Sequence, residues 1–193
     1  MGTRAPHTHS LLSLGVLLVS MLGIAGVPAA LETGEPAPDF TLPSTTGTPI
    51  SLSQFRGKQA VLLEFYGADF SPACEANLSA RKADYSKFQA LHVQILGISA
   101  NNPFSQKMLA NSLHLPYPLL SDSTLSVIKA YGVLYGTPAG KNEYPYMVGR
   151  IAKRSFFLID PQGIVRGRWI GEDLDVFPTE TLLHVLVTRA EKP

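Results

Sequence analysis

"AVLLEFYGADFSPACEAN", Ala60 to Asn77, decides the architecture. Ala60 to Tyr66 is a compact apolar run, the pattern of a strand buried on both faces. Gly67 breaks it. Ser71 and Pro72 then open a helix, because serine is a good N-cap and proline fits the first helical position, where no amide is needed. Ala76, Leu78, Ala80, Ala83, Tyr85 and Phe88 carry an imperfect helical apolar pattern onward.

Outward from this unit the alternation continues. "HVQILGIS" (His92 to Ser99) reads as a second buried strand, and Pro103 opens a helix through about Leu113. "LPYPLLSD" (Leu115 to Asp122) is extended, and Ser123 to Tyr131 is a short helix stopped at Gly132. On the other side, Asp39 to Phe55 reads as two short extended pieces around a Thr-Gly turn. "RSFFLID", a "PQG" turn and "IVRGRWIG" form a hairpin, and Thr179 to Ala190 looks like a closing amphipathic helix. Val133 to Lys153, rich in Gly, Pro and Tyr, is long for a plain loop. This order implies an α/β sandwich around a mixed sheet.

Composition bounds the function. Hydrophobic residues make up 45% of the 193, charged residues 16%, and net charge is +1. A sizeable core is affordable, and no basic block points to nucleic acid. Arg4 is the only charge before Glu32, and Leu11 to Val27 is almost entirely apolar. With the small residues of "VPAA" behind it, this segment reads as a secretory signal, its rival being an uncleaved anchor through residues 11–27. The expected organisation is a leader over 1–30 and one domain over 31–193. The expected location is periplasmic or extracellular, with or without a membrane tether.

Exported proteins usually hold cysteines in pairs. This chain has one, Cys74. It is a buried small hydrophobe, an intermolecular bridge or a reactive thiol. Counting from Ser71 as N-cap, Cys74 is N3. A thiol in the first turn lies beside unpaired amides and the positive end of the helix dipole, and both favour the thiolate nucleophile. Ser71 could cap the N3 amide, or donate to the sulfur or to a substrate oxygen. The plainer alternative is a normal capped helix that contains a buried cysteine.

"FYGADFSPACEAN" resembles the active-site segment of peroxiredoxins, Pro-x-x-x-Thr/Ser-x-x-Cys, with Ser71 and Cys74 on the last two marks. "APDFTLPSTTGTPISLSQFRGK", "DYSKFQALHVQILGIS", "LPYPLLSD", "VIKAYGV" and "RSFFLIDPQGIV" are similar to the bacterioferritin comigratory protein, or peroxiredoxin Q, branch, in the expected order from about Gly34 to Ile170. The resemblance implies a thioredoxin-like α/β sandwich and thiol-dependent reduction of hydrogen peroxide or organic hydroperoxides, an antioxidant activity. It puts Arg154 at the family's arginine. Cys74, Ser71 and Arg154 would be catalytic, and Pro72, Ala73 and Gly67 would shape the peroxide site. No cofactor or metal is needed.

Three departures stand out. Gly67 replaces the family's first proline. Asn77 stands where the branch commonly carries Glu or Gln. Ser79 occupies the place of a second cysteine. The implied chemistry is therefore a one-cysteine mechanism, with an external thiol (a thioredoxin-like protein or a small thiol) as reductant, and a monomer or weak homodimer as the expected assembly. Two alternatives stay open: an exported thioredoxin-like thiol–disulfide oxidoreductase relative, or a non-catalytic binding module. "GTPAGKN" (Gly136 to Asn142) fails as a phosphate loop, the five histidines are scattered, and the Asn77-Leu78-Ser79 glycosylation triplet falls inside the proposed active-site helix.

Overall fold

The computed structural model describes residues 1–2, 31–136, 147–171 and 184. The proposed leader, the Tyr-rich stretch at 137–146 and, apart from His184, the closing helix lie outside them.

Thr41–Leu42 (β1) and Ile50–Ser51 (β2) pair as a small antiparallel hairpin, followed by a 3-10 turn at Leu52–Phe55. A five-stranded sheet forms the centre. Its strands are Ala60–Phe65 (β3), Val93–Ser99 (β4), Leu119–Ser121 (β5), Ser155–Ile159 (β6) and Val165–Ile170 (β7), in the order β5-β4-β3-β6-β7. β3, β4 and β5 run parallel, while β6 and β7 return antiparallel. The central strands are those that read as uninterrupted apolar runs, and both faces of the sheet are covered. This is the mixed α/β sandwich expected from the alternation.

Four helices are described: Pro72–Ala83 (α1), Tyr85–Ala90 (α2), Pro103–Leu113 (α3) and Ser126–Ala130 (α4). The sequence pattern carried one helix through Phe88, but the backbone breaks at Asp84 (φ −99°, ψ 9°), and α2 starts anew. The break re-aims Phe88, which is fully buried under the sheet. α3 begins as proline at N1 predicts, with the Asn102 side chain accepting from the amides of Phe104 and Ser105.

Two apolar layers flank the sheet. One contains Phe65, Tyr131 and Phe157, whose rings pack with centroids 5.2 to 5.7 Å apart, and the Tyr131 hydroxyl donates to the Pro38 carbonyl. The other contains Leu62, Tyr66, Leu78, Phe88, Tyr117, Phe156 and Cys74. Trp169, half-buried, packs against this second layer. Among the described residues no helix is long and apolar enough to cross a membrane.

β3 carries one residue that its apolar reading passed over. Glu64 has no exposed surface. Burial pushes its carboxyl up from 4.5 to about 7, with Arg81 and then Arg154 pulling in the opposite direction. The sign of the resulting linkage is fixed. Between pH 4.5 and 7 the folded state holds a proton that the unfolded chain has released, so stability falls as pH rises through that window. The shift corresponds to roughly 3 kcal/mol, present at about pH 4 and lost by about pH 8. Urea unfolding at both pH values, compared with Glu64→Gln, is expected to show wild type losing about that much relative to the variant. Parallel pH profiles for the two proteins would show that Glu64 does not titrate there.

Candidate active site

The turn from β3 to α1 is held by Asp69. Its carboxylate accepts from the Tyr66 hydroxyl (3.0 Å), the Asn101 side-chain amide (3.1 Å) and the Ser105 hydroxyl (2.5 Å). The bonds tie the turn to the end of β4 and the start of α3. Phe70, next in the chain, takes a left-handed conformation (φ 59°), uncommon for a bulky residue, with its side chain 49% exposed. The turn thereby delivers Ser71 to the start of α1.

Pro72 is at N1 as expected, and the first helical bond runs from the Glu75 amide to the Ser71 carbonyl at 2.9 Å. The amides of Ala73 and Cys74 therefore precede the ladder, as helix geometry requires of the first turn. Ser71 has the extended backbone of an N-cap but makes no side-chain capping bond. Of the two roles open to its hydroxyl, capping is not the one taken.

Cys74 is buried, 5% exposed, in the layer with Tyr66, Leu78 and Phe156. The buried face of α1 is Cys74, Asn77, Leu78 and Arg81, the i, i+3, i+4, i+7 stripe of a helix. Asn77 turns its amide back to donate to the Ala73 carbonyl at 2.9 Å. At 1% exposure it is also no glycosylation acceptor in the folded chain. Arg81 is equally buried, with its guanidinium 5.6 Å from the centre of the Phe156 ring.

Arg154 immediately precedes Ser155, the first residue of β6, and Ser155 pairs with Phe65, the last residue of β3. The Arg154 Nε is buried, and its charge acts on Glu64. Gly67 closes the same corner. A Cβ on it would come within 3.3 Å of the Ile151 side chain and 3.6 Å of the Ala152 carbonyl, on the segment that leads into Arg154. The fold thus carries Gly67, the Ser71–Cys74 turn and Arg154 to the C-terminal end of β3, although eighty residues of sequence separate the cysteine from the arginine. A cavity of about 170 Å³ lined by Phe40, Leu42, Val127 and Tyr131 belongs to the opposite layer and holds none of these residues.

Sequence reasoning missed Glu64, Asp69 and Arg81. A signal existed for two of them. A carboxylate inside a strand buried on both faces needs a charge partner, and Arg81, one helical stripe along from Cys74, is placed to supply it.

Residues 33–168 match the AhpC/TSA family. "Peroxiredoxin Q, chloroplastic" of Populus jackii is 38% identical over 119 residues, 60% of this chain and 55% of that protein. "Putative peroxiredoxin bcp" of Coxiella burnetii is 33% identical over 140 residues, 72% of this chain and 89% of that protein. The crystal structure of peroxidoxin BcpB from Mycobacterium tuberculosis superposes with a TM-score of 0.68 at 29% identity, covering 84% of this chain and 99% of that one. The chain spans little more than half the length of the first plant relatives it matches, 55% and, for the Gentiana triflora protein, 54%.

These relatives correct one expectation. The plant proteins are named for the chloroplast, an intracellular compartment, which overturns the reading of this chain as an exported periplasmic or extracellular protein. The physical reason is that an apolar run records greasiness and not destination. With the fold, the Cys74 turn and the family match in agreement, this chain belongs to the AhpC/TSA family, in its peroxiredoxin Q and bcp branch.

Proposed function

We propose that this chain is a thiol-dependent peroxidase that works through Cys74 alone, with residues 31–193 as its catalytic unit. The observation that carries this reading is the position of the chain's one cysteine in the buried first turn of α1, at the strand end where Arg154 enters β6. The sulfur attacks one oxygen of a hydroperoxide as thiolate. The O–O bond breaks, the second oxygen leaves and takes up a proton as water or alcohol, and Cys74 becomes a sulfenic acid.

The residues present suit that step. The Ala73 and Cys74 amides, ahead of the helical ladder, are donors for oxygen as negative charge develops. The Ser71 hydroxyl is not committed to the cap. Arg154 supplies a planar cation that can hold two oxygens at once. Pro72 and Gly67 shape the turn around them. Burial of Cys74 excludes bulk water, so each of these contacts is stronger than it would be in solvent.

Resolution needs an outside molecule. The chain has no second cysteine, and Ser79 lies five residues beyond Cys74. A thiol condenses with the sulfenic acid to give a mixed disulfide and water. A second thiol then attacks that disulfide, which returns Cys74 and releases the oxidised reductant. A thioredoxin-like protein or a small thiol can fill the role.

Two experiments test this. Purified protein with a thiol reductant is expected to consume hydrogen peroxide or an organic hydroperoxide, and Cys74→Ser to consume none. Mass spectrometry after substoichiometric peroxide is expected to find sulfenate on Cys74, then a mixed disulfide on addition of thiol. An inert Cys74 would sink the assignment. Arg154→Ala, folded by circular dichroism, is expected to slow Cys74 oxidation about a hundredfold, the cost of deleting one well-placed donor. A rate equal to wild type would remove Arg154 from the site.

A further inference from the structure

We propose that the exposed apolar face made by Phe70, Phe104 and Met108 is the docking surface for the second thiol, and that this thiol is carried by a protein, a dithiol protein whose reactive cysteine stands in an apolar, uncharged surface. The inference rests on the peroxidase reading and deepens it, choosing between the two kinds of reductant which that reading allows. Among the described residues, large apolar side chains stand exposed at Met1, Phe70, Leu91, Phe104 and Met108. Met1 begins the chain, and Leu91 precedes β4, at the end of the sheet away from the Cys74 turn. The other three lie at the active end. Phe104 is 83% exposed and Met108 66%, and at i and i+4 they share one face of α3. Asp69, next to Phe70, accepts from the Ser105 hydroxyl at 2.5 Å and the Asn101 side-chain amide at 3.1 Å. The Phe70 turn is thereby pinned against the start of that helix.

The chain's own chemistry brings another molecule to this face. Cys74 is its one cysteine, so the thiol that condenses with the sulfenic acid comes from outside and is seated at the Cys74 turn when the disulfide forms. Phe70 is four residues before that sulfur, and Pro72, between them, is also exposed. The backbone at Phe70 sits at φ 59°, and its side chain is 49% exposed. A strained backbone that turns an aromatic ring toward water adds little to the core, and it serves a molecule that covers the ring. The rim is polar without charge, with Asn101, Asn102 and Asn111. Lys107, the one charged residue of α3, is two residues from Ser105 and so on the opposite flank, where its ammonium donates to the Thr45 carbonyl. Aromatic and methionine anchors with charge kept away are the composition of a protein–protein interface core. A small polar thiol is too short to cover side chains from two elements and gains nothing from them.

The test compares two reductants on the full chain. Turnover of hydrogen peroxide is measured with reduced thioredoxin as the protein dithiol and with dithiothreitol as the small one, and kcat/KM is obtained for each. Wild type is expected to be recycled faster by thioredoxin, thiol for thiol. Phe104→Ser is expected to lower kcat/KM for thioredoxin about tenfold, the scale of deleting one interface anchor, and Phe104→Ser combined with Met108→Ser to lower it further. Both variants are expected to keep the wild-type rate with dithiothreitol. Leu91→Ser, an exposed apolar residue at the other end of the sheet, is expected to change neither rate. Equal losses with the two reductants would mean a damaged Cys74 turn, and an unchanged rate with thioredoxin would mean a face it does not touch, so either overturns the proposal. So does a wild type that thioredoxin recycles no faster than dithiothreitol, or a Leu91→Ser loss as large as that of Phe104→Ser. A wild-type dimer in light scattering that Phe104→Ser separates into monomers gives the face to a second copy, which also overturns it. A wild type that consumes no peroxide with either reductant overturns the peroxidase reading, and this proposal with it. One that is active with dithiothreitol, while Phe104→Ser leaves thioredoxin recycling intact, overturns this proposal alone.

Discussion

Three hydrogen bonds to one carboxylate set the geometry at the active end. Asp69 gathers Tyr66 from the end of β3, Asn101 from the end of β4 and Ser105 from the first turn of α3. The chain between β3 and α1 is thereby fixed to the two elements beside it. The constraint is tight enough to hold Phe70 at positive φ, a conformation that costs on the order of 1 kcal/mol for a side chain with Cβ. The start of α1 inherits that position. Ser71 opens the helix, Pro72 fills N1, and Cys74 falls into the buried layer over Tyr66 and not onto the surface.

The architecture was legible because its signals are local and strong. Apolar runs at Ala60 to Phe65 and Val93 to Ser99 could be little but central strands, and both begin within a residue of the expected place. Prolines at 72 and 103 mark helix starts to the residue. The break at Asp84 was not legible, because Tyr85 and Phe88 continue the apolar pattern in either geometry. The direction Phe88 must take to reach the sheet is what separates α1 from α2, and that is a tertiary demand.

The site was half legible for a related reason. Cys74 could be placed from a serine and a proline just before it. Arg154 could not be joined to it by spacing, since only the pairing of Ser155 with Phe65 brings the two ends together. The family resemblance carried that link. Glu64 was obscured by its company: its neighbours in Ala60 to Tyr66 all agreed on a buried strand, and the single charge among them was averaged away. A buried charge is expensive, so it carries more information than the residues that hide it.

That expense bears on why Glu64 is there. At about pH 8 the ionised carboxylate lowers stability by roughly 3 kcal/mol relative to the protonated form, a large share of the roughly 5 to 15 kcal/mol typical of a domain. An apolar residue of similar volume would avoid the loss if the arginines were replaced as well. The chain instead keeps two arginines, one from α1 and one from the entry to β6, and a carboxylate that offsets both. Asn77, at the helix position where a longer carboxylate or amide is usual in this branch, is bonded back to its own helix at Ala73. One of its bonds thus goes to its own backbone, while Glu64 adds a carboxyl from the sheet on which both arginine charges act. A stability cost retained near the end of β3, the strand that leads into the Cys74 turn, is the pattern expected where local rules of folding give way to the demands of a site.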